Sequence, residues 1–252
     1  MPYPLGQGKS GPLLMELWRR YLEQLAEHEG NPEEQIAVGS QKAAEVLGFL
    51  TWKLDREGRY RHLIEQRQFL FAEGIRRAVS FEDRLLTATF TIYNHTNTLA
   101  HQFSAGIPSA EKLIRDVDEQ VKQVVQEADP VERSAAAIRA AFPLLCLMTL
   151  LLNRGGGATS AIRTIEDRFA KGAGQASTSW EHLVNALYRC VEILQLIVSL
   201  SEPALKDQVL QIAARFQEED QCRDLRLKLR NGFCRLFELS HLLAIHLDDT
   251  IP

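Results

Sequence analysis

The chain contains no long apolar run. Its densest apolar stretch, residues 140–152, is 13 residues long and is interrupted by Pro143 and Thr149, whereas a membrane-spanning helix needs about 20 residues. No membrane span is therefore predicted. The first residues, MPYPLGQGK, carry neither an apolar core nor a small-residue cleavage site, so no secretory leader is expected and a reducing compartment is. Cysteine is scarce: Cys146, Cys190, Cys222 and Cys234 include no Cys-x-x-Cys pair, and three of them lie in apolar helical patterns, which predicts buried free thiols. Basic charge is not in excess. With 29 Lys+Arg against 33 Asp+Glu the formal charge is −4, which argues against a dedicated nucleic-acid-binding domain and leaves polyanion contact to local patches. Strand patterns are also missing. Only 87–98 alternates threonine with Phe90, Ile92 and Tyr93, and with no second strand to pair with, it is read as helix.

What the chain has in quantity is helical punctuation. Asn31-Pro32-Glu33-Glu34 is an N-cap, a first-position proline and an acidic first turn, and Ser80 with Asp83, then Thr178 with Glu181, form capping boxes. Asp129-Pro130 starts a helix in which Pro143 predicts a kink or a break. Apolar residues recur at a spacing of three and four, and a third helix over 60–79 carries Leu63, Ile64, Phe69, Leu70 and Ile75. Nine or ten helices are expected, with no repeat of 20 to 50 residues, so the fold class is an all-α multi-helix bundle. The stretch 171–179, KGAGQASTS, is the most linker-like in the chain. It divides an N-terminal helical domain, 1–171, through a linker at 172–179, from a C-terminal helical domain, 180–252.

Motifs for chemistry are sparse. Glu238-Leu239-Ser240-His241 has the Glu-x-x-His spacing of a helical metal site, but di-iron bundles need it twice and it occurs once. His95 and His101, six apart, face away from each other on a helix. No metal and no cofactor are expected. Arg235 with His241, and equally Arg56 with His62, match the loose Arg-x(4 to 6)-His spacing of HEPN-type ribonucleases, which gives one alternative reading. The run 153–160, NRGGGATS, lacks the lysine of a phosphate-binding loop and reads as an interhelix turn.

Charge is distributed unevenly. Arg56, Arg59, Arg61 and His62 form one basic cluster, with Arg76, Arg77 and Arg84 further on. Arg223, Arg226, Lys228, Arg230 and Arg235 form a second, while 111–132 hold seven acids against three bases. Such asymmetry suits contacts between copies of the chain, or one face directed at anionic lipid or ribonucleoprotein. A second alternative is an all-α adaptor that binds partner helices in a groove.

Three stretches, taken in order, resemble orthomyxovirus matrix proteins of the influenza type. They are Ser10-Gly11-Pro12-Leu13 with Glu16-Leu17 and Tyr21-Leu22-Glu23, then Leu47-Gly48-Phe49-Leu50-Thr51 with Arg56-Glu57-Gly58 and Arg59-Tyr60-Arg61-His62-Leu63, and finally Cys146-Leu147-Met148 with Leu152-Asn153-Arg154-Gly155. The resemblance covers roughly residues 10–170. It implies an N-terminal pair of small bundles, about 10–80 and 81–171, before the linker. It also implies a non-enzymatic matrix protein that polymerises under a viral envelope, binds anionic membrane and links it to ribonucleoprotein in assembly and budding. The location implied is the virion, and in infected cells the cytoplasm, plasma membrane and nucleus.

The resemblance places Arg59 and Arg61 on the membrane face, and charge clustering adds Arg56, Arg76, Arg77 and Arg84. The second basic cluster then serves self-association or ribonucleoprotein contact. The family's layer responds to acid, which makes His62, His95 and His101 candidate pH sensors, since protonating all seven histidines would reverse the sign of the net charge. Two departures are plain. Where the family carries a basic run, this chain has the nearly uncharged Val121-Lys122-Gln123-Val124-Val125, and the Cys-Cys-His-His group has no counterpart. Direct RNA binding and zinc are therefore not expected, and a divergent thogoto-like member fits the pattern better than an influenza A one.

Overall fold

Side chains written into the sequence start four of the helices. Asn31 accepts from the Glu34 amide, Asp129 from the Val131 and Glu132 amides, and Ser80 and Asp83 close a reciprocal capping box. Thr178 and Glu181 do the same, with Thr178 Oγ1 accepting from the Glu181 amide and Glu181 Oε2 accepting from the Thr178 amide. Each satisfies amide groups that the first turn of a helix leaves without partners.

The computed structural model describes residues 11–125, 129–153, 156–201, 205–220 and 222–250. Among the described residues there are ten α-helices and no strand. In chain order they are α1 (Gly11–Glu27), α2 (Pro32–Leu54), α3 (Arg61–Arg77), α4 (Phe81–Ser104), α5 (Pro108–Val125), α6 (Pro130–Leu152), α7 (Thr159–Gln175), α8 (Ser179–Ser201), α9 (Lys206–Asp220) and α10 (Leu225–Thr250).

The even-numbered helices form a closed inner ring. Helix α2 packs on α4, α4 on α6, α6 on α8, α8 on α10 and α10 back on α2. The odd-numbered helices lie outside, with α1 against α2 and α10, α3 against α4 and α2, α5 against α6 and α4, and α9 against α10 and α8. Apolar content sorts them. Helices α6 and α8 are apolar around most of their circumference, whereas α5 shows a single apolar stripe, Ala110, Ile114, Val117 and Val121. Close approach within the ring uses glycine: a Cβ on Gly232 of α10 would lie 2.6 Å from Leu187 Cδ2 of α8.

The threonine-rich stretch is helix, as expected. Thr87, Thr91, Thr96 and Thr98 each donate their hydroxyl to the carbonyl four residues back, which satisfies β-branched polar side chains inside α4. Pro143 does not break α6, which runs from Pro130 to Leu152 as one helix. The expected linker is mostly helical. Helix α7 continues to Gln175, so 176–178 alone separate it from α8. Helices α8 and α10 complete the ring that α2, α4 and α6 begin, and one hydrophobic cluster spans residues on both sides of 172–179. Small polar residues mark the connection, but the apolar faces of 180–250 are buried against the N-terminal helices. Likewise α4, which begins at Phe81, packs on α2 across the expected sub-bundle boundary. The free thiols fall as predicted for Cys146 and Cys190, which are buried, while Cys222 and Cys234 are half-buried.

Candidate functional site

The first basic cluster is built around α3 and the turn before it. Asp55, buried at the end of α2, accepts from the Tyr60 amide through both carboxylate oxygens, and Gly58 takes a left-handed φ of 69°. A side chain at position 58 would strain that turn. The result leaves Arg56 and Arg59 exposed on a fixed loop. Arg59 pairs with Glu57 at 2.5 Å, and Arg61 lies over the Trp52 ring at 5.0 Å. At the other end of α3, Arg76 and Arg77 share Glu73 at 2.8 and 3.1 Å, with side chains 68% and 74% exposed. A helix of this length separates the two groups by about 24 Å.

Arg84 does not belong to this surface. Its guanidinium grips Glu34 of α2 through Nη1–Oε2 at 2.7 Å and Nη2–Oε1 at 2.5 Å, in a half-buried pair. That hydrogen bond holds the Glu34 carboxyl below its ordinary range and raises the guanidinium. Arg84 thus joins α4 to α2.

Between the two groups of arginines, α3 turns apolar side chains outward. Ile64 is buried, and Arg67 donates to the Asn94 carbonyl and the Thr98 hydroxyl of α4. Phe69 is 65% exposed and Leu70 58%, with Leu63 at the edge of the same face. The sequence pattern counts Phe69 and Leu70 together with Ile64 as apolar residues of one helix, without telling their faces apart. At about 100° per residue, Phe71 and Ile75 each fall within about 20° of Ile64, while Phe69 and Leu70 lie about 120–140° from it. That angle was the available signal. The outer face of α3 is therefore apolar at its centre and basic at both ends, through exposed Arg59 before the helix and Arg76 and Arg77 at its end, with Glu65 and Glu73 as the acids among it, while Arg61 is half-buried against Trp52.

The second basic cluster is mostly engaged inside the fold. Arg226 pairs with Glu33 at 2.9 Å, Arg230 donates to Gln35 and Asn231, and Lys228 lies over the Tyr188 ring at 5.8 Å. Arg235 is buried and pairs with Glu238 at 2.6 Å. Arg223 is exposed, and Arg226 is too, with its side chain 66% exposed in the pair with Glu33. The physical reason is that α10 is a ring helix, so its first turns meet α2 and α8 and are not a free polyanion patch.

The pH-sensor set divides in the same way. His62 is exposed. His95 is 1% exposed, and burial with the nearby Arg67 charge brings it down to about 3, so it is neutral through the physiological acid range. His101 is half-buried and is lowered by burial. His95 is thus no surface sensor. The Arg235–His241 pair of the ribonuclease reading is buried too, and His241 Nε2 lies 2.8 Å from the Leu14 carbonyl. Neither group opens to a phosphate. Arg56 and His62, the other match to that spacing, are both exposed at either end of the α2–α3 turn. Among the described residues no three His, Cys, Asp or Glu side chains gather in a metal-binding group. Of the glycine-rich turn, Arg154 and Gly155 lie outside the described residues, and Gly156 with a φ of 72° leads into α7.

Helices α6 and α8 are long and apolar enough to cross a bilayer, with mean hydropathy 2.0 and 1.5 over their most apolar 18 residues. A count of contiguous apolar residues missed this, because Arg139 and Pro143 interrupt the run in α6. In the fold those stretches are 67% and 61% buried within the ring, which is where a core helix places them. No protein-family model, curated protein or solved structure matches the chain.

Proposed function

We propose that this chain is a matrix-type coat protein that binds an anionic membrane peripherally through the outer face of α3 and holds it by self-association. The observation that carries the reading is the pairing of Phe69 and Leu70, exposed at mid-helix, with Arg59 and Arg61 before them and Arg76 and Arg77 after. Interfacial helices combine these two elements: apolar side chains enter the headgroup boundary and cations meet the anionic surface. Each cation near such a surface contributes about 1 kcal/mol. Glu57 and Glu73 offset part of this, so a monomer binds weakly. A polymer that presents the face many times binds strongly, because each further contact is intramolecular. Net charge −4 is compatible with this arrangement, since only a local face meets the lipid.

The resemblance extends the reading to a layer under a viral envelope that links membrane to ribonucleoprotein during assembly and budding. The second basic cluster contributes less to that contact, since Lys228, Arg230 and Arg235 are engaged within the fold and only Arg223 and the surface pair Arg226–Glu33 stay outside it.

The test is flotation of the purified protein with phosphatidylserine vesicles and with neutral vesicles over a salt series, with negative-stain images of the bound fraction. Salt-weakened binding to the anionic vesicles with an ordered coat is expected. A monodisperse protein indifferent to both vesicles would overturn the reading in favour of the adaptor. Cleavage of single-stranded RNA without metal, lost on changing Arg56 or His62, would overturn it in favour of the ribonuclease.

A further inference from the structure

Helix α1, packed on α2, and helix α3, packed on α4 and α2, leave a cleft between them. The cleft has a volume of about 600 Å³, within the range of roughly 300–1,000 Å³ usual for small-molecule sites. Its walls are apolar, with Leu13 and Leu17 from α1 and Phe71 and Ile75 from α3. Its floor is Gly48 of α2 and His95 of α4. Gly48 bares the imidazole: a Cβ there would stand 2.9 Å from His95 Nε2.

Two polar side chains of this cleft are unsatisfied. His95 is 1% exposed and its Nδ1 has no hydrogen-bond partner, and Gln68 Nε2, buried in the α3 wall, has none either. A buried polar atom left unpaired costs about 1–3 kcal/mol. Two side chains with such atoms among the lining of one cleft, apolar between its walls and charged at Glu16, Arg20, Lys42 and Glu45, point to a guest that completes them. The charges at the rim are balanced, since Arg20 pairs with Glu16 at 2.6 Å and Lys42 with Glu45 at 2.9 Å. An anionic headgroup would gain no free cation there and would meet two carboxylates.

We infer that the cleft binds an uncharged, mainly apolar molecule with a hydroxyl group, whose oxygen meets the His95 imidazole and the Gln68 amide at the floor while its hydrocarbon body lies between α1 and α3. A hydroxyl supplies one donor and two acceptor sites. It can therefore donate to an unprotonated ring nitrogen and accept from an amide N–H, which an ether or a hydrocarbon cannot do together. Depression of the His95 pKa by burial keeps the ring in the neutral form that accepts. The inference stands apart from the membrane reading, since the outer face of α3 and the cleft are on opposite sides of that helix.

Calorimetric titration tests it with three probes: 1-decanol, its isomer methyl nonyl ether, and decanoate. The alcohol is expected to bind about tenfold more tightly than the ether, the effect of one hydrogen bond to a buried partner, and decanoate more weakly than either. His95→Phe should reduce the alcohol-to-ether ratio to about one while both still bind. Ala72→Trp, at an exposed position on the α3 wall, should fill the cleft and abolish binding without disturbing the core. Equal binding of alcohol and ether by the unaltered protein, no binding of any probe, or alcohol binding that survives Ala72→Trp would each overturn the inference. If His95→Phe fails to fold, the isomer ratio and the Ala72 variant decide it.

Discussion

Arg84 of α4 and Glu34 of α2 are joined by two parallel hydrogen bonds of 2.7 and 2.5 Å, 50 residues apart in sequence and half-buried. A two-pronged, charge-assisted contact of this kind orients both helices as well as attracting them. Arg84→Ala should therefore destabilise the fold by about 1–2 kcal/mol near neutral pH, measured by chemical denaturation, and leave vesicle binding intact. The pH dependence has a definite sign. The pair holds the Glu34 carboxyl below its ordinary value, so its stabilisation is complete above the ordinary carboxylate range and is lost as the pH falls through the depressed value. The gap between the unaltered protein and the variant should narrow as the pH falls below the ordinary carboxylate range toward the depressed value of Glu34. A gap that stayed constant there, or a variant of full stability with lost vesicle binding, would return Arg84 to the membrane face.

The exposed face of α3 separates two contributions that salt can distinguish. Arg59, Arg61, Arg76 and Arg77 changed together to Glu should abolish flotation with anionic vesicles while the helical circular-dichroism signal persists, because all four lie on the surface or its edge. Phe69→Ser with Leu70→Ser should change stability little, within about 0.5 kcal/mol, yet weaken vesicle binding by about tenfold or more through lost apolar burial. Binding that remains at high salt should be the fraction that this second variant loses, since screening acts on the arginines alone. Unchanged flotation of either variant would remove the corresponding residues from the site.

Caps made four of the ten helix starts readable, because Asn31, Ser80, Asp129 and Thr178 satisfy amides within three residues and need nothing distant. Side-chain partners were less readable. Arg226, Arg230 and Arg235 read as a basic patch, since nothing local shows that Glu33 and Gln35, about 195 residues earlier, would receive two of them. The linker reading at 171–179 failed for a related reason: small residues permit a loop, but Gly172 also lets α7 approach α8, where a Cβ would lie 2.1 Å from Asn185 Oδ1. The outward turn of Phe69 and Leu70 was present in the helical angle. Counting the apolar residues of the helix together, without their faces, hides it.

His95 makes the fold sensitive to acid from within. Its ordinary value of 6.5 applies to the unfolded chain, and burial with the nearby Arg67 charge lowers it to about 3 in the fold. Above pH 6.5 the ring is neutral in both states and costs nothing. As the pH falls from 6.5 toward 3, only the unfolded chain takes the proton, so stability is lost at about 1.4 kcal/mol per pH unit. By pH 5 that amounts to about 2 kcal/mol. No carboxylate counters it: Arg67 faces it from α3, and the Glu45 and Glu16 carboxylates of the same cleft pair with Lys42 and Arg20. Denaturation midpoints of the unaltered protein should fall between pH 7 and 5, and His95→Phe should flatten that fall by about one proton's worth. Equal slopes in the two proteins would show that His95 does not carry it.

Gly232 provides a test of the ring itself. On an exposed helix, replacing glycine by alanine stabilises by up to about 1 kcal/mol, because alanine loses less backbone freedom on folding. At position 232 the sign should reverse. The new Cβ would stand 2.6 Å from Leu187 Cδ2 and 2.9 Å from Leu187 Cγ. Leu187 is fully buried among the ring helices, so its side chain cannot swing out to solvent. Helices α8 and α10 would have to separate, and overpacking of this kind costs about 1–3 kcal/mol. Gly232→Ala should accordingly lower the denaturation midpoint with little change in slope, and Gly232→Val should lower it further. Gly58→Ala, at a turn with φ 69° and no neighbour within 4 Å, separates strain from crowding: it should destabilise through its backbone while leaving the α8–α10 contact intact. A raised midpoint for Gly232→Ala would mean that α10 is held against α8 more loosely than the closed ring requires.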